Sequence, residues 1–152
     1  MHITKDNIHE FIKGTRISCY NKGITGIDYI PDGITYIHFG NNELTSLPEL
    51  PESLGVLNCD NNQLTSLPKL PEGLINLYCH NNELINIPNL PDNLKGLDCS
   101  NNNLTKLPKL PNDLEYLSCH NNNIPYPITI NNYKEKHNKL IKRKEILKRI
   151  CT

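Results

Sequence analysis

The chain has 152 residues, with 16 Lys or Arg and 16 Asp or Glu, which is enough for one domain with a tail and too few for two separate cores. Formal charge is zero, yet residues 1–130 carry 8 basic against 14 acidic side chains and residues 131–152 carry 8 against 2. No apolar run reaches the length of a membrane span, and Met1 is followed by His, Lys, Asp and Asn, so an unexported, soluble chain is expected.

Residues 1–16 read as an N-terminal cap, in which "NIHEFIKG" places Ile8, Phe11 and Ile12 on one helical face. From Ile17 to Ile130 the sequence repeats every twenty residues. Phe39, Cys59, Cys79, Cys99 and Cys119 share one position, and Leu44, Leu64, Leu84, Leu104 and Ile124 share another. The unit L-x-x-L-x-L-x-x-N-x-L recurs from Leu54, Leu74, Leu94 and Leu114, with a sound copy at Ile34 and a degraded first copy near Gly14. This is the leucine-rich-repeat pattern, and it predicts a mostly β, α/β-type right-handed curved solenoid of about six coils.

Alternation along each strand sends Leu57 and Cys59 inward, so the cysteine column is core and not a metal site or a disulfide framework. Zinc ligands converge on one point, whereas these thiols stand one coil apart in a line. No metal and no cofactor are expected. The second asparagine of each pair, at Asn42, Asn62, Asn82, Asn102 and Asn122, turns inward after the strand and serves as a structural ladder for unpaired backbone groups. After the strand the return path reads "LPELPES", "LPKLPEG", "IPNLPDN" and "LPKLPND". Proline fixes φ and removes a donor, so the convex side is expected to be extended and polyproline-like, without a helix or a second sheet.

The repeated "L-P-x-L-P-x-x-L-x-x-L-x-C-x-x-N-x-L-T-x-L-P" resembles the short leucine-rich repeats of bacterial type III secreted effectors, the YopM and IpaH kind, and the repeat proteins of giant viruses. The resemblance covers about Ile17 to Ile130. It implies a scaffold binding host proteins, placed in the host cytoplasm or in a virion. The asparagine and lysine bias favours the viral side. In ligase members a helical domain after the repeats supplies a cysteine in a C-x-D motif. Here only 22 residues follow Ile130 and no cysteine has aspartate two places on, so ligase activity is not carried over.

The outward strand positions form the concave parallel sheet, and there the repeats stop agreeing. Tyr36, His38, Asn58, Asp60, Tyr78, His80, Asp98, Tyr116 and His120 are the candidate partner-binding residues, with the three tyrosines as anchors because they offer large amphipathic area at low entropic cost. His80 and His120 stand two coils apart, too far to share one zinc. An Asp60–His80 contact without a nucleophile is half a catalytic site, so no catalytic residue is assigned and a non-enzymatic chain is expected. A monomer binding a protein or peptide is the main expectation, with binding that responds to pH through His38, His80 and His120.

Residues 131–152 form the basic end, with Tyr133, His137, Leu140, Ile141, Leu147 and Ile150 toward one helical face. A helical C-terminal cap closing the open sheet is the first reading, and a basic helix that binds nucleic acid or an anionic membrane is the alternative. Cys151, after that basic run, is the thiol expected to be exposed.

Overall fold

One twenty-residue unit makes one coil of a parallel solenoid in the computed structural model, which describes residues 1–125, 128–132 and 135. The chain opens with β1 (His2–Ile3), a 3₁₀ turn (Ile8–Phe11), β2 (Ile12–Lys13), β3 (Arg16–Ser18) and β4 (Gly26–Ile27). One short strand per coil follows: β5 (Tyr36–His38), β6 (Val56–Asn58), β7 (Asn76–Tyr78), β8 (Gly96–Asp98) and β9 (Tyr116–Ser118). The expected C-terminal helix over 131–152 and Cys151 lie, apart from residues 131, 132 and 135, outside the described residues.

Strands β2, β3 and β5 to β9 form one sheet, with β2 antiparallel to β3 and every other pair parallel. The register repeats without a slip, so that Ile17, Ile37, Leu57, Leu77, Leu97 and Leu117 are stacked partners. Period-two alternation then drives the same column inward in every coil. All of these are fully buried except Leu117 in the last coil, which is half-buried. Beside them Cys19, Phe39, Cys59, Cys79 and Cys99 are also at zero exposure.

The return paths behave as their prolines require. Among the described residues, 43–53, 63–73, 83–93 and 103–113 hold neither helix nor strand. Each closes with a tight turn before the next strand, in which the N–H of Leu54, Leu74, Leu94 or Leu114 donates to the carbonyl of Pro51, Pro71, Pro91 or Pro111 at 3.0 to 3.3 Å. The leucines between the prolines, such as Leu70 and Leu110, face the core.

At the N-terminus the structure departs from expectation in two ways. The helical face over Ile8, Phe11 and Ile12 shrinks to one 3₁₀ turn, because Ile12 leaves it to pair with Ile17 and shield the first parallel strand. A second, two-stranded sheet also exists on the back, where β1 runs parallel to β4. The His2 ring lies over Gly26, where a Cβ would stand 2.6 Å from it, and its Nε2 lies 2.6 Å from Asp28 Oδ1. These additions cover the first coil, which has no preceding neighbour.

The first asparagine of each pair has a reason of its own. Asn21, Asn41, Asn61, Asn81, Asn101 and Asn121 all take φ between 50° and 61°, the left-handed region that asparagine tolerates better than other side-chain-bearing residues. This bend ends the strand and aims the second asparagine inward. Asn41→Gly is expected to keep the urea midpoint of the chain, and Asn41→Val to lose about 1 to 2 kcal/mol. Equal loss in both variants would assign the position to its side chain and not to its backbone.

Candidate functional site

The inward asparagines make the same set of bonds in every coil. Asn82 Oδ1 accepts from Leu64 N at 2.9 Å, and its Nδ2 donates toward the carbonyls of Cys59, Cys79 and His80 at 3.0, 3.1 and 3.3 Å. Asn62 repeats the pattern one coil earlier, and Asn102 and Asn122 one and two coils later. Asn42 differs at the degraded first coil, where its Oδ1 accepts from both Lys22 N and Ile24 N. Each amide therefore joins the bend of its own coil to that of the preceding one.

The opposite side of the strands carries three columns in register. Arg16, Tyr36, Val56, Asn76, Gly96 and Tyr116 form the first, and Ser18, His38, Asn58, Tyr78, Asp98 and Ser118 the second. Tyr20, Gly40, Asp60, His80, Ser100 and His120 continue past the strand ends. Tyr116 and Tyr20 are the most open large side chains here, at 51% and 49% exposure, while Tyr36, His38, Asn58, Tyr78, His80 and Asp98 are half-buried and His120 is exposed. At the first coils the Arg16 guanidinium lies 3.8 Å from the Tyr36 ring centre, and Tyr20 packs against His38 with ring centres 5.0 Å apart. Arg16 and Tyr20 thus share the face with the expected residues, and their place in the columns was the signal for them.

Asp60 is the charged residue buried among the outward positions. It is only 7% exposed, because Gly40 in the preceding coil is bare and the carboxylate lies over it. Asp60 Oδ2 accepts from Asn61 Nδ2 and stands 3.7 Å from His80 Nε2. On the other side of that imidazole, His80 Nδ1 stands 3.8 Å from Asp98 Oδ2. Asp98 Oδ1 is occupied by the N–H and hydroxyl of Ser100, at 3.1 and 2.6 Å. One imidazole thus lies between two carboxylates, and Asp60 Oδ1 and His80 Nδ1 are buried without a hydrogen-bond partner. His38 and His120 are not drawn into this cluster, and His120 Nδ1 instead meets the Ser118 hydroxyl at 3.1 Å.

The cysteines belong to the interior. Burial pushes the Cys19 thiol up to about 12 and holds Cys59, Cys79 and Cys99 higher still, with Asp60 or Asp98 adding to the rise at the latter three. A thiol so held is neither a nucleophile nor a ready metal ligand. Among the described residues no group of three His, Cys, Asp or Glu is placed to hold a metal ion.

A regular twenty-residue coil, an inner aliphatic and thiol lining, an asparagine ladder and a parallel sheet define a leucine-rich-repeat solenoid. More narrowly, the chain's repeats are similar to those of effector proteins. It is similar to the structure of a Shigella effector LRR domain, at 32% identity and a TM-score of 0.77, over 85% of this chain and 62% of that one. It is also similar to YopM from Yersinia enterocolitica WA-314, at 28% identity and a TM-score of 0.63, over 76% of this chain and 29% of that one. The chain therefore spans less than two thirds of either structure. No family model and no curated protein matches it.

Proposed function

We propose that the chain is a non-enzymatic scaffold that binds a protein or peptide on its concave sheet. One observation carries this reading: the inward columns are uniform from coil to coil, whereas the outward columns change at every step over a continuous, in-register surface. The hydrophobic core does not dictate the outward set, so its content is available for recognition. Six strands at about 4.8 Å span about 24 to 29 Å, which suits one extended peptide, loop or helix better than a large globular surface. The likeness to effector domains supports action on a host protein, and the shielded thiols support work in a reducing cytoplasm.

Tyr36, Tyr78 and Tyr116 are the anchors in this reading. A chain in which all three are replaced by alanine is expected to lose the partners that the intact chain captures from host-cell extract, with its melting temperature nearly kept because none of the three is a core residue. Recovery of the same partners by both chains would remove the concave face from the proposal. A second reading rests on the 8 Lys or Arg against 2 Glu of residues 131–152, which suit nucleic acid or an anionic membrane. Binding that survives the triple substitution and falls steeply with added salt would favour it.

A further inference from the structure

The Asp60–His80–Asp98 cluster narrows the chemistry of the partner. The Asp60 and Asp98 side chains are only 10% and 17% exposed, and among the described residues no lysine or arginine lies within 4 Å of either. A carboxylate withdrawn from water needs a counter-charge or full hydrogen bonding, and Asp60 Oδ1 has neither. The one group between the two acids is an imidazole too distant for a hydrogen bond to either. Arg16, the basic residue of the outward columns, is engaged over the Tyr36 ring four coils before Asp98. The centre of the sheet therefore holds negative charge that the described chain does not neutralise.

Around that charge the surface is aromatic and small. Asp98 has Tyr78 and Ser118 as its in-register neighbours, and Gly96 and Ser100 flank it along its own coil, with Tyr116 beside Gly96. A long cationic side chain suits this setting, because its aliphatic stem can lie against tyrosine while its head reaches a carboxylate.

We propose that the partner presents a lysine or arginine to the Asp60–His80–Asp98 cluster, the ligand being an extended segment with a basic residue among apolar ones. This rests on the concave sheet being the binding face. Phosphate-bearing ligands are disfavoured there by the same two acids. The groups facing His80 are Asp60 from the preceding coil and Asp98 from the following one, with Tyr78 next on its own coil and His38 and His120 two coils away on either side.

A displayed random-peptide library panned against the full chain at neutral pH tests this, with the selected peptides resynthesised and measured by fluorescence anisotropy. The selected sequences are expected to share a lysine or arginine at one aligned position. Asp98→Asn keeps the acceptor for Ser100 while removing the charge, and is expected to weaken them about tenfold, the scale of one charge-assisted contact. Replacing the shared basic residue by alanine should give the same loss, with no further loss when both changes are combined. Selected peptides that lack a basic residue but still need Tyr78 and Tyr116 would overturn the charge assignment and leave the concave face standing. Peptides that bind the triple-alanine chain equally well, or no selection at all, would overturn both.

Discussion

Raising the pH from 8 to 10 is expected to remove about 5 kcal/mol from the folding stability of the chain, with the loss beginning near pH 9. The cause is the thiol column. Burial raises Cys59, Cys79 and Cys99 far above the ordinary thiol value of 9.0, so the folded chain keeps these protons throughout the range. In the unfolded chain the same thiols are in water and ionise above 9.0. The unfolded state then binds fewer protons than the folded one, and stability falls as pH rises. Each such group costs about 1.4 kcal/mol per pH unit above the unfolded value. Three act fully, and Cys19, pushed up to about 12, adds to them. Below pH 9 the contribution is complete.

Urea midpoints measured under reductant from pH 7 to 10 give the check. The slope above pH 9 should drop by roughly a quarter in Cys79→Ala, which removes one proton from the difference while leaving its neighbours. A midpoint that does not move between pH 8 and 10 would mean that the thiols meet water in the folded chain. The inner lining described above would then be wrong.

The second large effect belongs to the ladder. Asn82→Ala is expected to cost about 4 kcal/mol. It strips the acceptor from Leu64 N and the donor from the Cys59, Cys79 and His80 carbonyls, in a side chain that is 9% exposed. Each buried backbone group left without a partner costs about 1 to 3 kcal/mol. Position in the stack sets the scale of the loss. Asn122→Ala removes equivalent bonds from a half-buried site at the last described coil, where solvent can replace some of them, and a smaller loss is expected there. Asn82→Asp tests the chemistry, since it keeps the acceptor for Leu64 but turns a second oxygen toward three carbonyls. It should be no better tolerated than alanine. Equal urea midpoints for the parent and both Asn82 variants would show that water satisfies these bends.

Much of this was legible because repetition averages out the ambiguity of any single segment. One short run such as Leu54 to Leu64 fits several structures, but its return at a fixed interval requires a common cross-section and a shared register. The proline pairs excluded a helical return for a local reason that any one copy displays. Terminal and pairwise features were harder to read. The 3₁₀ turn at Ile8–Phe11 and the β1–β4 pair depend on what the first coil lacks, which no repeat template contains. Asp60 is covered because the coil before it happens to carry Gly40, so its burial lies in a pair of residues twenty apart and not in either alone. The left-handed bend at the first asparagine was readable in principle, since asparagine is the side-chain-bearing residue that tolerates it best.

The unbroken register has one more consequence. Because the boundary that each coil offers its successor is the same, a block such as residues 62–81 could be excised, or copied, and the two cut ends would still meet a compatible neighbour. Such edits shorten or lengthen the molecule in steps of about 4.8 Å and move one half of the outward columns relative to the other as a unit. Selection acting on unequal exchange between near-identical gene segments could thus change what is recognised without first inventing a new way to fold.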